Sequence, residues 1–222
     1  MTTQRNNAKR ATDASSKKVR RQTILNAAMS LFRNDPQNLP TVQLIAKESE
    51  LAKGTVYLYF STKEEIFLAL LETQYELLFS TLEKLLQKAT NDYDEIEVLI
   101  DQITEFVARN PDWLTLVSLS NNIIEQNIDF ESISKHKQFL IGKVISIGNM
   151  IDNKFTFIDE GLGAKLIWRS YALMIGLYQA TTPSPGLSSL YQSAELSIMT
   201  PDFNSEIGPL LKSLWKGCRR ID

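Results

Sequence analysis

One cysteine, one histidine and no apolar run long enough to span a membrane are the scarcities that bound this 222-residue sequence. The lone thiol, Cys218, rules out an internal disulfide framework and fits a reducing cytoplasm. No charged, apolar and small-residue pattern of a secretion signal opens the chain. With His136 as the sole histidine there is no His-rich metal site, and support for a Ser/His/Asp or Cys/His catalytic set is poor. The acid pairs Glu64/Glu65, Glu95/Glu97 and Asp159/Glu160 fall at polar helix edges, where solvation accounts for them. The run GLGAK at Gly161 to Lys165 lacks phosphate-loop spacing and a preceding strand, and reads as a helix start. Neither a catalytic residue, a metal nor a cofactor is therefore expected.

What the chain has is helical periodicity and a lopsided charge. The overall balance is only −2, yet residues 1–63 hold eleven Lys/Arg against four Asp/Glu, a net +7. The remainder carries 13 basic and 22 acidic residues, a net −9. A basic head on an acidic body is the electrostatic footprint of nucleic-acid binding when it coincides with a reading motif. The stretch TVQLIAKESELAKGTVYLYFSTK, Thr41 to Lys63, supplies one. Thr41 stands where an N-cap belongs, and Val42, Ile45 and Ala46 follow on one face. After a turn through KESEL, a second helix carries Val56 and Phe60 inward and shows Lys53, Thr55, Tyr57 and Tyr59 outward. Gly54 inside it costs roughly 1 kcal/mol relative to alanine, which is easier to understand where backbone closely approaches a partner. Ser61 and Glu64 form an S-x-x-E capping box for the next helix, holding Lys63 in its first turn. In a helix-turn-helix the second helix lies in the major groove, so the layout predicts a DNA reader.

Val19 to Leu70 resembles the DNA-binding domain of the tetracycline-repressor (TetR) family of bacterial transcription regulators. The resemblance rests on ILNAAMSLF, TVQLIAKES, AKGTVYLYF and STKEEIFLALLE, with KGTVYLYF followed by Lys63 its most specific part. Three positions depart from the family pattern. Asp35 and Pro36 replace a common glycine after the first helix, Glu50 replaces a turn glycine, and Ala52 replaces a serine that caps the reading helix. A left-handed Glu50 would bear a strain of roughly 1 kcal/mol. The DNA contacts expected are Thr41, Lys53, Gly54, Thr55, Tyr57, Tyr59 and Lys63. Thr41, Thr55 and Lys63 are expected to position through phosphates, and Lys53, Tyr57 and Tyr59 to meet bases. Arg20 and Arg21 are further candidates for backbone contact.

The expected architecture is all-α in three parts: a mobile basic arm at 1–16, a helix-turn-helix domain at 17–64, and a helical effector-binding and dimerisation domain at 65–222. Helix 1 is expected from about Ser16 to Asn34, burying Ile24, Ala28, Leu31 and Phe32. A long helix to about Ala89 joins the regions. Further helices are expected at Asp92 to Asn110, from Pro111, at about 131–152, at 159–180 and at 204–219, with a Pro/Ser-rich loop from Thr182 to Asp202 containing a short helix near 190–197. The segment from Asp159 to Ala180 is apolar most of the way round, which calls for burial on several sides. The resemblance implies that the last two long helices pair with a second copy, and that a small molecule, often apolar or aromatic, releases DNA. It places Tyr75, Phe79, Phe106, Trp113, Phe139, Trp168 and Tyr171 on helices around an effector cavity. Asn121, Asn122, Glu125, Gln126, His136 and Arg169 are polar groups that can orient a ligand. The leading expectation is a cytoplasmic homodimeric repressor of a palindromic operator. The alternatives are a helical small-molecule binding protein, or a helical enzyme, whose head no longer reads DNA.

Overall fold

The computed structural model describes backbone for residues 2–183, 186, 196, 198 and 200–218, and side chains for these except 2–14, 93, 121 and 122. Among the described residues the chain is all-α. The short helix expected near 190–197, the expected basic side chains of the arm (Arg5, Lys9 and Arg10) and the side chains of Asn121 and Asn122 lie outside the described residues. The helices are α1 (Thr2–Asn34), α2 (Val42–Glu48), α3 (Lys53–Tyr57), α4 (Lys63–Lys88), α5 (Tyr93–Arg109), α6 (Pro111–Leu119), α7 (Phe130–Lys154), α8 (Gly163–Thr181) and α9 (Phe203–Lys216). A π-helical turn, Ser120–Ile124, and a 3-10 turn, Glu125–Asn127, connect α6 to α7.

The helix ends follow from identifiable residues. Asp92 caps α5 by accepting from the Asp94 N–H at 3.2 Å, and Asp202 caps α9 by accepting from Ser205 N–H at 2.9 Å. Pro111 opens α6, where its missing N–H costs nothing. The GLGAK run is a helix start, as its sequence suggests: Gly161 turns with φ +78°, and α8 begins at Gly163. The carboxylate of Asp152 on α7 accepts from the N–H groups of both glycines, at 3.0 and 2.7 Å, and so satisfies donors that the helix start leaves free. Helix α1 begins well before the expected Ser16. Residues 2–15 have no apolar periodicity, but they contain neither proline nor glycine, so nothing stops the helix extending outward.

The chain divides into two compact units. One comprises Met1–Glu72 with Leu119–Phe130, the other Thr73–Ser118 with Glu131–Asp222. The first unit is centred on Ile24, Leu25, Ala28, Phe32, Ile45, Val56, Ile66 and Phe67, all buried, with the Phe32 and Phe67 rings 5.6 Å apart. Leu31, expected in this core, is half-buried. The second unit buries Leu82, Leu86, Trp113, Phe155, Leu166, Leu211 and Trp215. In it α9 packs on both α5 and α8, and the buried Trp215 indole donates to Ser170 Oγ at 2.9 Å. The α7–α8 approach is close because Gly148 and Gly163 face each other: a methyl group on either would meet the opposing backbone.

Candidate nucleic-acid interface

The reading motif is assembled from caps, turns and one buried stripe. Thr41 Oγ1 accepts from the Leu44 N–H at 3.3 Å, so α2 starts where its sequence predicts, and Val42, Ile45 and Ala46 are buried. At the other end, Leu51 N–H bonds to Ala46 O at 2.9 Å and Glu50 N–H to Lys47 O at 3.1 Å. That is the Schellman pattern, which places its turn residue in the left-handed region. Glu50 is that residue, with φ 54°, so the turn keeps its geometry without a glycine. Ala52 provides no side-chain cap for α3, whose first bonds run from Thr55 and Val56 N–H to Ala52 O. After α1, Asp35 and Pro36 stop the helix, and Asn38 Nδ2 donates to both Asp35 carboxylate oxygens, at 3.3 and 3.1 Å.

The capping box of α4 sits one residue later than its sequence suggests. Thr62, not Ser61, is the cap: its Oγ1 accepts from Glu65 N–H at 3.2 Å, and the Glu65 carboxylate accepts from Ser61 N–H at 2.7 Å. Glu64, expected in that role, is instead buried. The shift leaves Lys63 as the first helical residue, half-exposed, with its Nζ only loosely paired to Glu64 at 4.0 Å.

Of the seven expected DNA contacts, Thr41, Lys53, Gly54 and Tyr57 are exposed, and Thr55, Tyr59 and Lys63 are half-buried. Val56 and Phe60 point inward, so Lys53, Gly54 and Tyr57 form the outer side of α3. The Lys53 ammonium lies 5.8 Å from the Tyr57 ring centroid, holding a cation against an aromatic face. A methyl group on Gly54 would meet open space. Arg20 is exposed, whereas the Arg21 guanidinium stacks 5.1 Å above the Phe60 ring, which anchors it at the base of the motif. Periodicity also passed over Leu58, which follows Tyr57 and is 79% exposed.

The residues expected around an effector separate into groups. Tyr75 is the hub of one: its ring lies 6.2 Å from Phe79, 5.8 Å from Trp113 and 6.3 Å from His136, and Trp113 lies 5.7 Å from Phe106. All five are buried, and Trp113 Nε1 has no hydrogen-bond partner among the described residues. Phe139 is half-buried on α7. Trp168 is 61% exposed and meets the half-buried Tyr171 at 6.4 Å, so that pair stands on the open side of α8. Glu125 belongs to the first unit, where its carboxylate accepts from Ser120 Oγ at 3.0 Å. Gln126 is exposed, and Arg169 reaches Cys218 Sγ at 3.6 Å. No group of three or more His, Cys, Asp or Glu suited to a metal ion occurs among the described residues. No helix among them is long and apolar enough to cross a membrane.

Comparison with known proteins gives this geometry a family. Residues 24–70 match the family described as bacterial regulatory proteins, tetR family, and residues 72–221 match the tetracyclin repressor-like C-terminal domain. The uncharacterized HTH-type transcriptional regulator YuxN of Bacillus subtilis is 26% identical over 154 residues, covering 65% of this chain and 53% of its own length. The chain thus spans about half the length of the curated relatives it matches. Among solved structures, the fatty acid degradation regulator FadR of Bacillus halodurans superimposes with a TM-score of 0.60 at 16% identity, covering 91% of this chain and 97% of that one. FadR of Thermus thermophilus, a transcriptional repressor solved in complex with lauroyl-CoA, gives a TM-score of 0.55 at 21% identity over 91% and 96%. The family is one of regulators rather than enzymes, and with matches across both of its parts the chain belongs to the TetR family of DNA-binding transcriptional regulators.

Proposed function

We propose that this regulator is a cytoplasmic homodimeric repressor that grips a palindromic operator through α2 and α3 and lets go when a small molecule with an apolar chain binds its body. Residues 17–64 form the reading head, and 65–222 hold the effector and the second copy. The observation that carries the DNA part is the outer side of α3: Lys53, Gly54 and Tyr57 stand open, in a segment of net +7, while Val56 and Phe60 are spent on the core. Lysines neutralise phosphates, and hydroxyls and aromatic edges reach bases. Thr41, Thr55 and Lys63 position the head on the backbone, and Lys53, Tyr57 and Tyr59 read. Selection of bound fragments from random double-stranded DNA should return a palindrome. A pool with no palindromic preference would sink the reading. Lys63→Ala should weaken all sequences alike and lower the salt slope by about one per subunit, whereas Tyr57→Ala should hurt the operator more than random DNA.

Two-fold pairing is supported by the open side of the α8–α9 layer. Trp168 is 61% exposed and Leu210 36%, on helices that pack against each other and leave these side chains uncovered. A second copy covers them in an isologous contact, and two reading heads then match two half-sites. Sedimentation of Trp168→Glu should show monomers with weakened operator binding. A dimer unchanged by Trp168→Glu and Leu210→Glu together would place the interface elsewhere.

The effector part rests on Trp113. A buried indole N–H without an acceptor among the described residues costs about 1–3 kcal/mol, and an incoming oxygen acceptor removes that cost. Around it Tyr75, Phe79 and Phe106 offer apolar aromatic surface. An acyl chain ending in a carbonyl meets both demands, and an acyl-CoA is what the Thermus thermophilus protein holds. To release DNA, the effector must bind the DNA-incompetent conformer more tightly than the competent one. Acyl-CoA thioesters of graded chain length should dissociate the operator complex, and Trp113→Phe should raise the concentration needed. No release by any chain length would refute the acyl reading and leave operator selection unaffected.

A further inference from the structure

We infer that Leu58 reads the C5-methyl group of a thymine in the major groove, an inference that rests on the DNA-reading proposal above. Leu58 follows the last residue of α3 and is 79% exposed. The inward positions beside it belong to Val56 and Phe60, so Leu58 stands with Tyr57 on the outer side. Gly54, four residues earlier and therefore on the same stripe, puts no side chain beside it, and the space beyond its Cα is open. The outer side of α3 thus offers, in order, a cation held against an aromatic ring, a bare turn of backbone and a branched apolar side chain.

The chemistry of that sequence narrows the occupant. The segment from residue 1 to 63 carries eleven Lys/Arg against four Asp/Glu, which favours a polyanion over an apolar protein surface. On a DNA duplex, phosphates and base-edge nitrogens and oxygens are polar, and a leucine offers them nothing. The one apolar feature of the major groove is the thymine methyl, which aliphatic side chains contact. Leu58 therefore supplies preference for T over C at one position of each half-site, and Lys53 and Tyr57 supply the polar part of the readout. The bare backbone at Gly54 removes the side chain that would otherwise hold the helix off the bases.

The test uses the full-length protein and the operator recovered by selection. Each thymine of a half-site is replaced in turn by deoxyuridine, which removes only the methyl, and affinity is measured by fluorescence anisotropy. For wild type, one position should lose about fourfold when substituted in one half-site and about fifteenfold when substituted in both, the worth of one buried methyl per site. Leu58→Ala should bind the thymine operator more weakly and become indifferent to deoxyuridine at that position, with an unchanged unfolding midpoint. Leu58→Met, which keeps an apolar side chain, should keep the sensitivity. The inference is overturned if no thymine matters to wild type, or if Leu58→Ala shows the same deoxyuridine loss as wild type. It is also overturned if Tyr57→Ala, and not Leu58→Ala, removes that loss. A selection that yields no preferred DNA would overturn the operator proposal and this inference together; a preferred palindrome without methyl sensitivity overturns this one alone.

Discussion

Replacing Glu50 by glycine should stabilise the reading head, because the turn between α2 and α3 forces this residue to φ 54°. A residue with a Cβ pays roughly 1–2 kcal/mol in that region. Glycine escapes the clash but loses more chain freedom on folding, which returns roughly 0.5–1 kcal/mol of the gain. The net is a stabilisation of about 0.5–1 kcal/mol, since the side chain is exposed and the bond that holds the turn comes from the backbone N–H, to Lys47 O. The assay must see the head. All three tryptophans, at 113, 168 and 215, belong to the other unit, so their fluorescence reports the body. Amide exchange at Leu51 N–H, whose bond to Ala46 O closes the turn, reports the head directly. Protection there should rise about two- to fivefold in Glu50→Gly, the factor that 0.5–1 kcal/mol represents. Glu50→Ala removes the same charge but keeps the Cβ, so it should show no such rise. Equal protection in the two variants would refute the strain argument. Both should bind DNA somewhat more tightly at low salt, having lost one of the four acids in a segment of net +7.

Other expectations follow from single contacts. Thr62→Ala should destabilise the start of α4 by about 1 kcal/mol, whereas Ser61→Ala, whose backbone N–H makes the bond, should change little in thermal unfolding. Gly148→Ala should cost about 3 kcal/mol, because the new methyl would press on Ala164 Cα at 2.6 Å, while Gly142→Ala on the same helix meets open space and should gain up to about 1 kcal/mol. Lys143 sits between Glu76 and Glu83, at 3.3 and 3.4 Å. Burial pulls its pKa down, but the hydrogen bonds and charges of the two glutamates outweigh that and raise it above the ordinary 10.5. A group raised in the folded state stabilises below its unfolded pKa and stops doing so as pH climbs through the folded one. Lys143→Met should therefore cost up to about 1 kcal/mol in urea unfolding at pH 8, and the difference from wild type should shrink above pH 10.5.

Much of the head was legible because its signals are local. A Thr41 cap, three inward residues on α2 and the pair Val56 and Phe60 each announce themselves within one helical turn. The capping box slipped because STKEE contains two overlapping boxes of equal chemistry, and the phase of the core decided between them. Ile66, Phe67, Leu70 and Leu71 must face inward, and with Thr62 as cap Glu64 is carried to the buried side. The early start of α1 was missed for a different reason. Periodicity reports which face is buried, and residues 2–15 carry no apolar period from which a helix could be read.

The body was harder, because composition says that a side chain seeks cover without saying where the cover comes from. Tyr75, Phe79, Phe106 and Trp113 all have apolar bulk, and they do meet in one buried cluster. Trp168 has the same bulk and lies open, because α8 is apolar most of the way round and its sequence leaves the phase undetermined. The link from Asp152 to Gly161 and Gly163 joins two helices across a turn that no short-range pattern encodes. Leu58 belongs with Trp168 in this respect. Both look like core residues by type, yet both are exposed among the described residues, an exposure that the proposed contacts with DNA for the one and with a second copy for the other would account for.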